Sequence, residues 1–351
     1  PYPTGRVPGQ RYRIEQWAPH LAAEGLEVTF APFFTPAGFE VLYRPGHRLA
    51  KASATLGGYA RRLRRAWSQD DCDVAYVYRE AAPLAPAWLD RRLSGGRPVV
   101  FDFDDAIYLA TASPTNAWAA ALRSPRKTDR LCREARHVTV GNEHLAQYAR
   151  SRARAVTVIP PTIDTDLYVV RESAAKARPV VGWTGSLTTL PHLAALAPAL
   201  ARLARETGCE VEVIGGELEL PGVPVRCRPW RAANEVDDLR SFDVGLMPLP
   251  DDEWARGKCG MKALQYMALG IPPVVSPVGV NATLVRDGVN GFHARTEDEW
   301  VDRVGLLLRD ADLRARLGGE ARRTVEEGFS ARVQAPRLAR VLRDAAGAAA
   351  R

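Results

Sequence analysis

Apolar residues recur along the chain in two alternating rhythms, short β-rich runs and longer stretches with helical spacing. That alternation predicts parallel sheets covered by helices. In the first half the strands fall at Leu26–Phe30, Val74–Tyr78, Pro98–Phe103, His137–Val140 and Ala155–Ile159. Helices fit between them near Arg13–Glu24, Leu49–Ser68, Leu84–Leu93, Arg126–Glu134 and Glu143–Ser151. Pro160-Pro161-Thr162 and the polar stretch Arg171–Pro179 then break both rhythms. The alternation restarts with strands at Val180–Thr184, Cys209–Ile214, Val223–Cys227, Val244–Met247 and Pro272–Ser276. It gives way to helices from Asp298 onward, the last over Ser330–Ala345. The prediction is an α/β protein of two doubly wound domains, 1–170 and 179–328, followed by a helical segment over 329–351.

Composition narrows the class without changing that picture. The 351 residues are 46% apolar and 25% charged, a globular balance that excludes disorder, collagen and coiled coil as whole-chain readings. No apolar stretch approaches the ~20 residues that a bilayer crossing needs. The first residues, Pro1-Tyr2-Pro3-Thr4-Gly5, form no signal-peptide core. Five cysteines with no CxxC pair argue against a disulfide framework or a zinc site and point to the cytoplasm.

Charge adds an asymmetry. The net charge is +7, yet residues up to Arg178 hold 26 basic and 18 acidic side chains, and those from Pro179 onward hold 22 and 23. A basic first half suggests an anionic partner. Nucleic acid is disfavoured, since no zinc-finger, helix-turn-helix or RNP-type pattern accompanies the charge. The densest cluster is Arg61-Arg62-Leu63-Arg64-Arg65, where Leu56, Tyr59, Leu63 and Trp67 recur at helical spacing. It reads either as a membrane-surface helix or as a solvated face packed through Tyr59, Leu63 and Trp67. The chain is thus expected in the cytoplasm, with peripheral contact at the inner face of the membrane as an extension of the first reading.

The richest segment runs from Asp243 through the polar stretch Asp251-Asp-Glu-Trp-Ala-Arg-Gly-Lys-Cys-Gly260 to Gly270 and Ser276. It predicts a strand, a long loop, a helix over about Cys259–Leu269 and a further strand. Loops from a strand's carboxyl end into a helix are where such sheets bind ligands, and helix amides there attract phosphate. Only five of the 48 basic residues are lysines, yet Lys258 and Lys262 stand four apart here. On one face of a first helical turn they oppose the macrodipole, which calls for a compensating anion such as a pyrophosphate. The alternative is two solvated lysines.

This segment, Gly260-Met-Lys-Ala-Leu-Gln-Tyr-Met-Ala-Leu-Gly270 with Val285-Arg-Asp-Gly-Val-Asn-Gly-Phe292, closely resembles the donor-binding region of retaining family-4 glycosyltransferases, the glycosyl transferases group 1. Pro8-Gly-Gln-Arg-Tyr-Arg13 is similar to that family's first glycine loop, and Val181-Gly-Trp-Thr-Gly-Ser186 to the first strand and loop of its donor domain. The resemblance implies a GT-B fold: two Rossmann-like domains facing across a cleft, acceptor on the first, nucleoside diphosphate-sugar on the second, and a last helix crossing back. It implies transfer of a sugar to an acceptor hydroxyl without metal or cofactor, the nucleotide-sugar being substrate. It also places a strand before Pro1. The acceptor is not identified by the resemblance; the basic first half leans toward a lipid-linked or phosphorylated one.

Carried over residue by residue, the resemblance assigns donor binding to Gly9, Arg11, Gly185, Ser186, Arg228, Trp230, Gly257, Cys259, Gly260, Met261 and Gln265, with a packing role as the alternative for Arg228 and Trp230. Lys258 and Lys262 would stabilise the leaving diphosphate. The chain departs from the family where two glutamates are usual, with Gly257 and Gln265 in their places, and Ser186 replaces a phosphate-binding arginine. Asp251, Asp252 and Glu253 are candidate replacement carboxylates, or else an exposed acidic turn. A second cluster, Asp102-Phe-Asp-Asp105, ends an apolar strand. Asp104 stands where the family often has a histidine, so Asp104 and Asp105 are candidates for sugar or acceptor contacts. Read alone, Asp102-Phe-Asp104 also matches the DxD cation motif of GT-A enzymes. Arg11 and Arg13 are expected to meet phosphate or an anionic acceptor. The six histidines have no spacing typical of a metal site or triad. The rival functions are a nucleotide-sugar epimerase or phosphorylase and a non-catalytic nucleotide-sugar-binding protein.

Overall fold

Every strand pairing in the computed structural model is parallel. The structure describes residues 2–44, 46–67, 72–83, 92, 95–109, 126–170 and 176–347. They fall into two units, Pro1–Pro161 with Gln334–Arg351, and Thr162–Val333. Both are parallel-sheet α/β structures, as the alternating pattern predicts.

The sheet of the first unit runs in sequence order: β1 (Ala75–Tyr78), β2 (Val99–Phe103), β3 (His137–Val140) and β4 (Val156–Val158). Its helices are α1 (Pro8–Arg13), α2 (Ala18–Ala23), α3 (Pro36–Tyr43), α4 (Arg48–Trp67), α5 (Arg126–Glu134) and α6 (Glu143–Arg150). The helix predicted over Arg13–Glu24 is broken because Ile14 leaves helical geometry, at φ −145 and ψ −46. A short 3₁₀ turn, Glu15–Trp17, follows, and Pro19 sits near the start of α2. Leu26–Phe30 pairs with no strand among the described residues, although Leu26 and Val28 pack on the core. The helix predicted over Leu84–Leu93 lies outside the described residues, apart from Arg92.

The second unit has six strands in the order β10-β9-β8-β5-β6-β7. These are β5 (Val180–Thr184), β6 (Glu210–Ile214), β7 (Val225–Arg228), β8 (Val244–Met247), β9 (Pro273–Val275) and β10 (Phe292–His293). The two-residue β10 was not predicted. Every residue of β5 and β8 is buried, as for central strands covered on both faces, which is why they read as unbroken apolar runs. The connecting helices are α7 (Leu190–Ala194), α8 (Ala197–Thr207), α9 (Glu235–Leu239), α10 (Glu253–Arg256), α11 (Met261–Ala268) and α12 (Asn281–Leu284). The chain then runs through α13 (Glu297–Arg309), α14 (Ala311–Gly328) and α15 (Ala331–Gly347). Helix α13 begins with a reciprocal cap between Thr296 and Glu299.

Helix α15 starts in the second unit and belongs to the first from Gln334 onward. There Ala335, Leu338, Ala339 and Leu342 share a core with Trp17, Leu21, Val100 and Ile159. Among the described residues, no helix is long and apolar enough to cross a membrane.

Candidate functional site

In the first unit the carboxylates at the end of β2 take separate roles. Asp102 and Arg13 are both buried with no exposed side-chain surface, and form a two-pronged ion pair: Arg13 Nε donates to Oδ2 at 3.0 Å, and Nη2 to Oδ1. Thr139 Oγ1 donates to the same Oδ1 at 2.7 Å, and Arg13 Nη1 donates to the Ile159 carbonyl. Burial, the largest single influence, lowers the Arg13 pKa, but Asp102, Tyr76 and Asp104 together outweigh it and the net shift is upward. This corrects the expectation that Arg13 meets a ligand: it is a structural partner of Asp102. Both Asp102 oxygens are engaged, so Asp102 and Asp104 do not present the paired carboxylates of a DxD cation site. Among the described residues, no group of three or more His, Cys, Asp or Glu is arranged to hold a metal ion.

Asp104 and Asp105 are clamped by Arg79, the residue after β1. Arg79 reaches Asp104 Oδ1 through Nε at 3.1 Å and Nη2 at 2.8 Å, and Asp105 Oδ2 through Nη2 at 2.6 Å. The Tyr78 hydroxyl donates to Asp104 Oδ1 at 2.9 Å. Arg79 takes the left-handed backbone, φ 62, a strained choice for a non-glycine residue that recurs at functional sites. Burial opposes its charge, but Asp104, Tyr78 and Asp105 hold the guanidinium pKa well above its ordinary value. Gly9 abuts this cluster: a Cβ there would lie 2.6 Å from the Tyr78 hydroxyl and 3.7 Å from Arg79 Nη2. Arg11 is half-buried; its Nη2 donates to the Tyr12 hydroxyl at 2.7 Å, and its guanidinium lies 4.6 Å from that ring's centre. The structure thus gathers Gly9, Asp104 and Asp105 around Tyr78 and Arg79, two residues the sequence reading missed. A basic residue directly after a strand run was the signal available for Arg79.

In the second unit the strand order reverses between β5 and β8, the crevice where doubly wound sheets bind ligands. Tyr266 of α11 bridges it, its hydroxyl accepting from the Thr184 amide at 3.0 Å and donating to the Leu246 carbonyl at 3.3 Å. After β5, the Gly185 amide donates to the Ile214 carbonyl at 3.0 Å, and a Cβ on Gly215 would strike the Gly185 carbonyl at 2.2 Å. Ser186 is exposed, its Oγ 2.8 Å from Thr188 Oγ1.

After β8, two of the loop's three acids serve the loop itself. Asp252 caps α10, accepting from the Ala255 amide at 2.7 Å; Asp251 pairs with Arg256 at 2.8 Å; Glu253 lies in the first turn of α10. Gly257 and Cys259 are buried, with Cys259 Sγ 3.8 Å from the Gly257 carbonyl. Gly260 takes φ +73, and a Cβ there would lie 2.8 Å from Leu284, so both backbone and space require glycine. It caps α11, whose first amides, from Met261, have no partner within the helix. Lys258 therefore precedes the helix and does not share its first turn with Lys262, correcting the predicted helix start at Cys259.

The two lysines nonetheless converge. Lys258 Nζ sits 4.4 Å from the Trp254 ring centre and Lys262 Nζ 5.6 Å from that of Trp183. His192 senses both: burial chiefly lowers its pKa, and Lys262 and Lys258 lower it further against the opposing effect of Asp252. His192 also lines a cavity of about 330 Å³, with Pro248, Leu249, Ser276 and Trp300.

Gln265, buried, donates through Nε2 to the Tyr168 hydroxyl at 3.2 Å, which donates to Glu235 Oε2 at 2.9 Å. Trp230 Nε1 donates to the other oxygen, Oε1, at 2.8 Å. Gln265 and Trp230 are thereby linked through two residues that the sequence did not disclose. Arg228 is ion-paired with Glu212 at 2.7 Å and Asp238 at 3.3 Å.

Two parallel-sheet α/β units, with the glycosyltransferase structures they resemble over most of their length, place the chain in the GT-B fold class. Family models agree: that for glycosyltransferase family 4 matches residues 7–167, and that for glycosyl transferases group 1 matches 178–310. The chain belongs to the family-4 glycosyltransferases. Among curated relatives, a D-inositol 3-phosphate glycosyltransferase of Stackebrandtia nassauensis is 29% identical over 213 residues, 51% of this chain and 46% of that protein. The chain thus matches about half the length of such relatives. Among solved structures, sucrose-phosphate synthase from Thermosynechococcus elongatus is 14% identical, covers 97% of this chain and 94% of that one, and has a TM-score of 0.70. Anabaena HepE, solved with UDP-glucose, is 18% identical, covers 93% and 88%, and has a TM-score of 0.62.

Proposed function

We propose that the protein is a metal-independent, retaining glycosyltransferase that moves a sugar from a nucleoside diphosphate-sugar to an acceptor hydroxyl. The observation that carries this reading is the start of α11 in the second unit, where Lys258 stands two residues before the Gly260 cap and Lys262 in the first turn, beside amides that have no partner within the helix. A solved neighbour bound to UDP-glucose supports a nucleotide-sugar in this role.

In the reaction, the bond between the sugar's anomeric carbon and the diphosphate oxygen breaks and a bond to the acceptor oxygen forms on the same face. The acceptor proton passes to the departing phosphate oxygen. The lysines and helix amides stabilise charge as it develops on that diphosphate. Asp104 and Asp105, fixed by Arg79, accept hydrogen bonds from sugar or acceptor hydroxyls and so orient them. Trp230 and Gln265, fixed through Glu235 and Tyr168, offer an aromatic face to the base and an amide to the ribose.

The test is a donor screen without acceptor: UDP-, GDP-, dTDP- and ADP-sugars, with and without EDTA, followed by release of free nucleoside diphosphate and by thermal-shift binding. Slow, EDTA-insensitive release from one donor supports the reading. Donor binding with no release, alone and after candidate acceptors are then added, would make the protein a binding protein, and a product that stays on the nucleotide would make it an epimerase.

A further inference from the structure

Helix α4 presents an apolar stripe edged by cations to the outside of the first unit. Its 20 residues include Arg48, Lys51, Arg61, Arg62, Arg64 and Arg65 and no acid. Leu49, Leu56 and Leu63 are 88%, 69% and 39% exposed. Seven-residue spacing returns side chains to nearly the same angle, a drift of about 20° per step, so the three leucines form one line. Ala52, Ser53 and Ala60, all small and exposed, fill the line between them. The opposite face is docked, with Gly58 under the Phe33 ring and Arg62 Nε donating to the Ala81 carbonyl at 3.2 Å; Tyr59, on the flank beside the leucine line, donates through its hydroxyl to the Pro83 carbonyl at 2.7 Å. Leu63, which the sequence left open as a packing residue, therefore belongs to the outer line, and of Tyr59 and Leu63 only the tyrosine turns inward.

We propose that this face of α4 lies on an anionic lipid surface. Exposed leucines in a row along the helix are costly in water, and a surface that accepts them while attracting an acid-free basic helix must be apolar within and negative at its boundary. Arg64 and Arg48 flank the stripe, where long stems run beside the leucines and carry their charge to the phosphate level. A second copy of the helix is the wrong partner by charge, since pairing brings two acid-free basic helices together. The inference is independent of the enzymatic reading and stands or falls on binding alone.

The test is sedimentation of the full chain with vesicles of phosphatidylcholine alone or mixed with phosphatidylglycerol, beside light scattering of the protein in solution. The expected result is binding to the mixed vesicles, weakened by salt and absent with phosphatidylcholine alone. Arg64→Gln should weaken it about fivefold, the effect of one cation near an anionic surface. Leu49→Ser/Leu56→Ser/Leu63→Ser should weaken it at least tenfold with an unchanged circular dichroism spectrum and melting temperature. No binding by the wild type overturns the proposal, as does equal binding by the serine variant. A dimer that the serine variant dissolves, without vesicle binding, assigns the stripe to a second copy instead.

Discussion

At the end of β2 three carboxylates are held by two arginines, whereas beyond β8 two lysines rest near indole rings while the neighbouring acids cap a turn or pair with Arg256. An arginine fork cancels charge and fixes oxygen atoms in space. An indole face fixes an ammonium group and contributes about 0.5–1 kcal/mol at exposed sites, and here the two ammonium groups stand at the start of a helix. The first region thus suits neutral hydroxyl groups that need oriented acceptors. The second suits an anion.

The largest expected effect tests whether the β2 end is divided as described. Arg13→Met leaves Asp102 buried without its partner and should cost about 3–5 kcal/mol in urea denaturation. Arg13→Met/Asp102→Leu should recover most of that loss; a small cost for the single variant would show Asp102 to be solvated. Next, Lys258→Ala should lower turnover by roughly 10²–10³, the usual cost of removing a group that meets developing charge, with little change in melting temperature. An equal loss of stability and turnover would make Lys258 a structural residue, and the two regions would then not differ in kind.

Tyr78→Phe removes one of the donors to Asp104 and should cost about 1 kcal/mol, measured as stability in urea. A cost near zero would leave Arg79 as the sole clamp. The smallest effect sharpens the lysine side. Lys262→Met should raise the His192 pKa toward its ordinary value in an NMR titration, because one of its neighbouring cations is gone. The sign for stability follows: folded His192 stays neutral where the unfolded imidazole, near 6.5, already binds a proton. Stability therefore falls as pH drops below about 6.5, and the variant should flatten that slope.

Much of this was legible in the chain because parallel strands buried on both faces are nearly continuous apolar runs. β3, β5 and β8 coincide with their predicted bounds for that reason. Leu26–Phe30 misled because alternation records which side chains are buried, not whether a neighbouring strand is there to pair. The strand-end acids and the rare lysines were visible as chemistry out of place. Their partners were not: Arg79 meets Asp104 across 25 residues of sequence, Tyr168 meets Gln265 across 97, and Arg13 meets Asp102 across 89. Such pairings are made by the sheet, so Arg13 read as a ligand contact although the fold buries it.

Helix α15 has a consequence for the order of synthesis. Trp17 and Leu21 leave the ribosome before the second unit is made, yet the core that encloses them also needs Ala335, Leu338 and Leu342, which emerge only after it. The first unit can gather its strands during translation but cannot seal them, and its apolar surface stays open while the whole second unit is made. Folding in the order of synthesis, the usual habit of multidomain chains, is here suspended until helix α15 arrives. A stalled nascent chain released just before Gln334 should expose that surface to proteases and holdase chaperones, while the second unit, Thr162–Val333, is already complete.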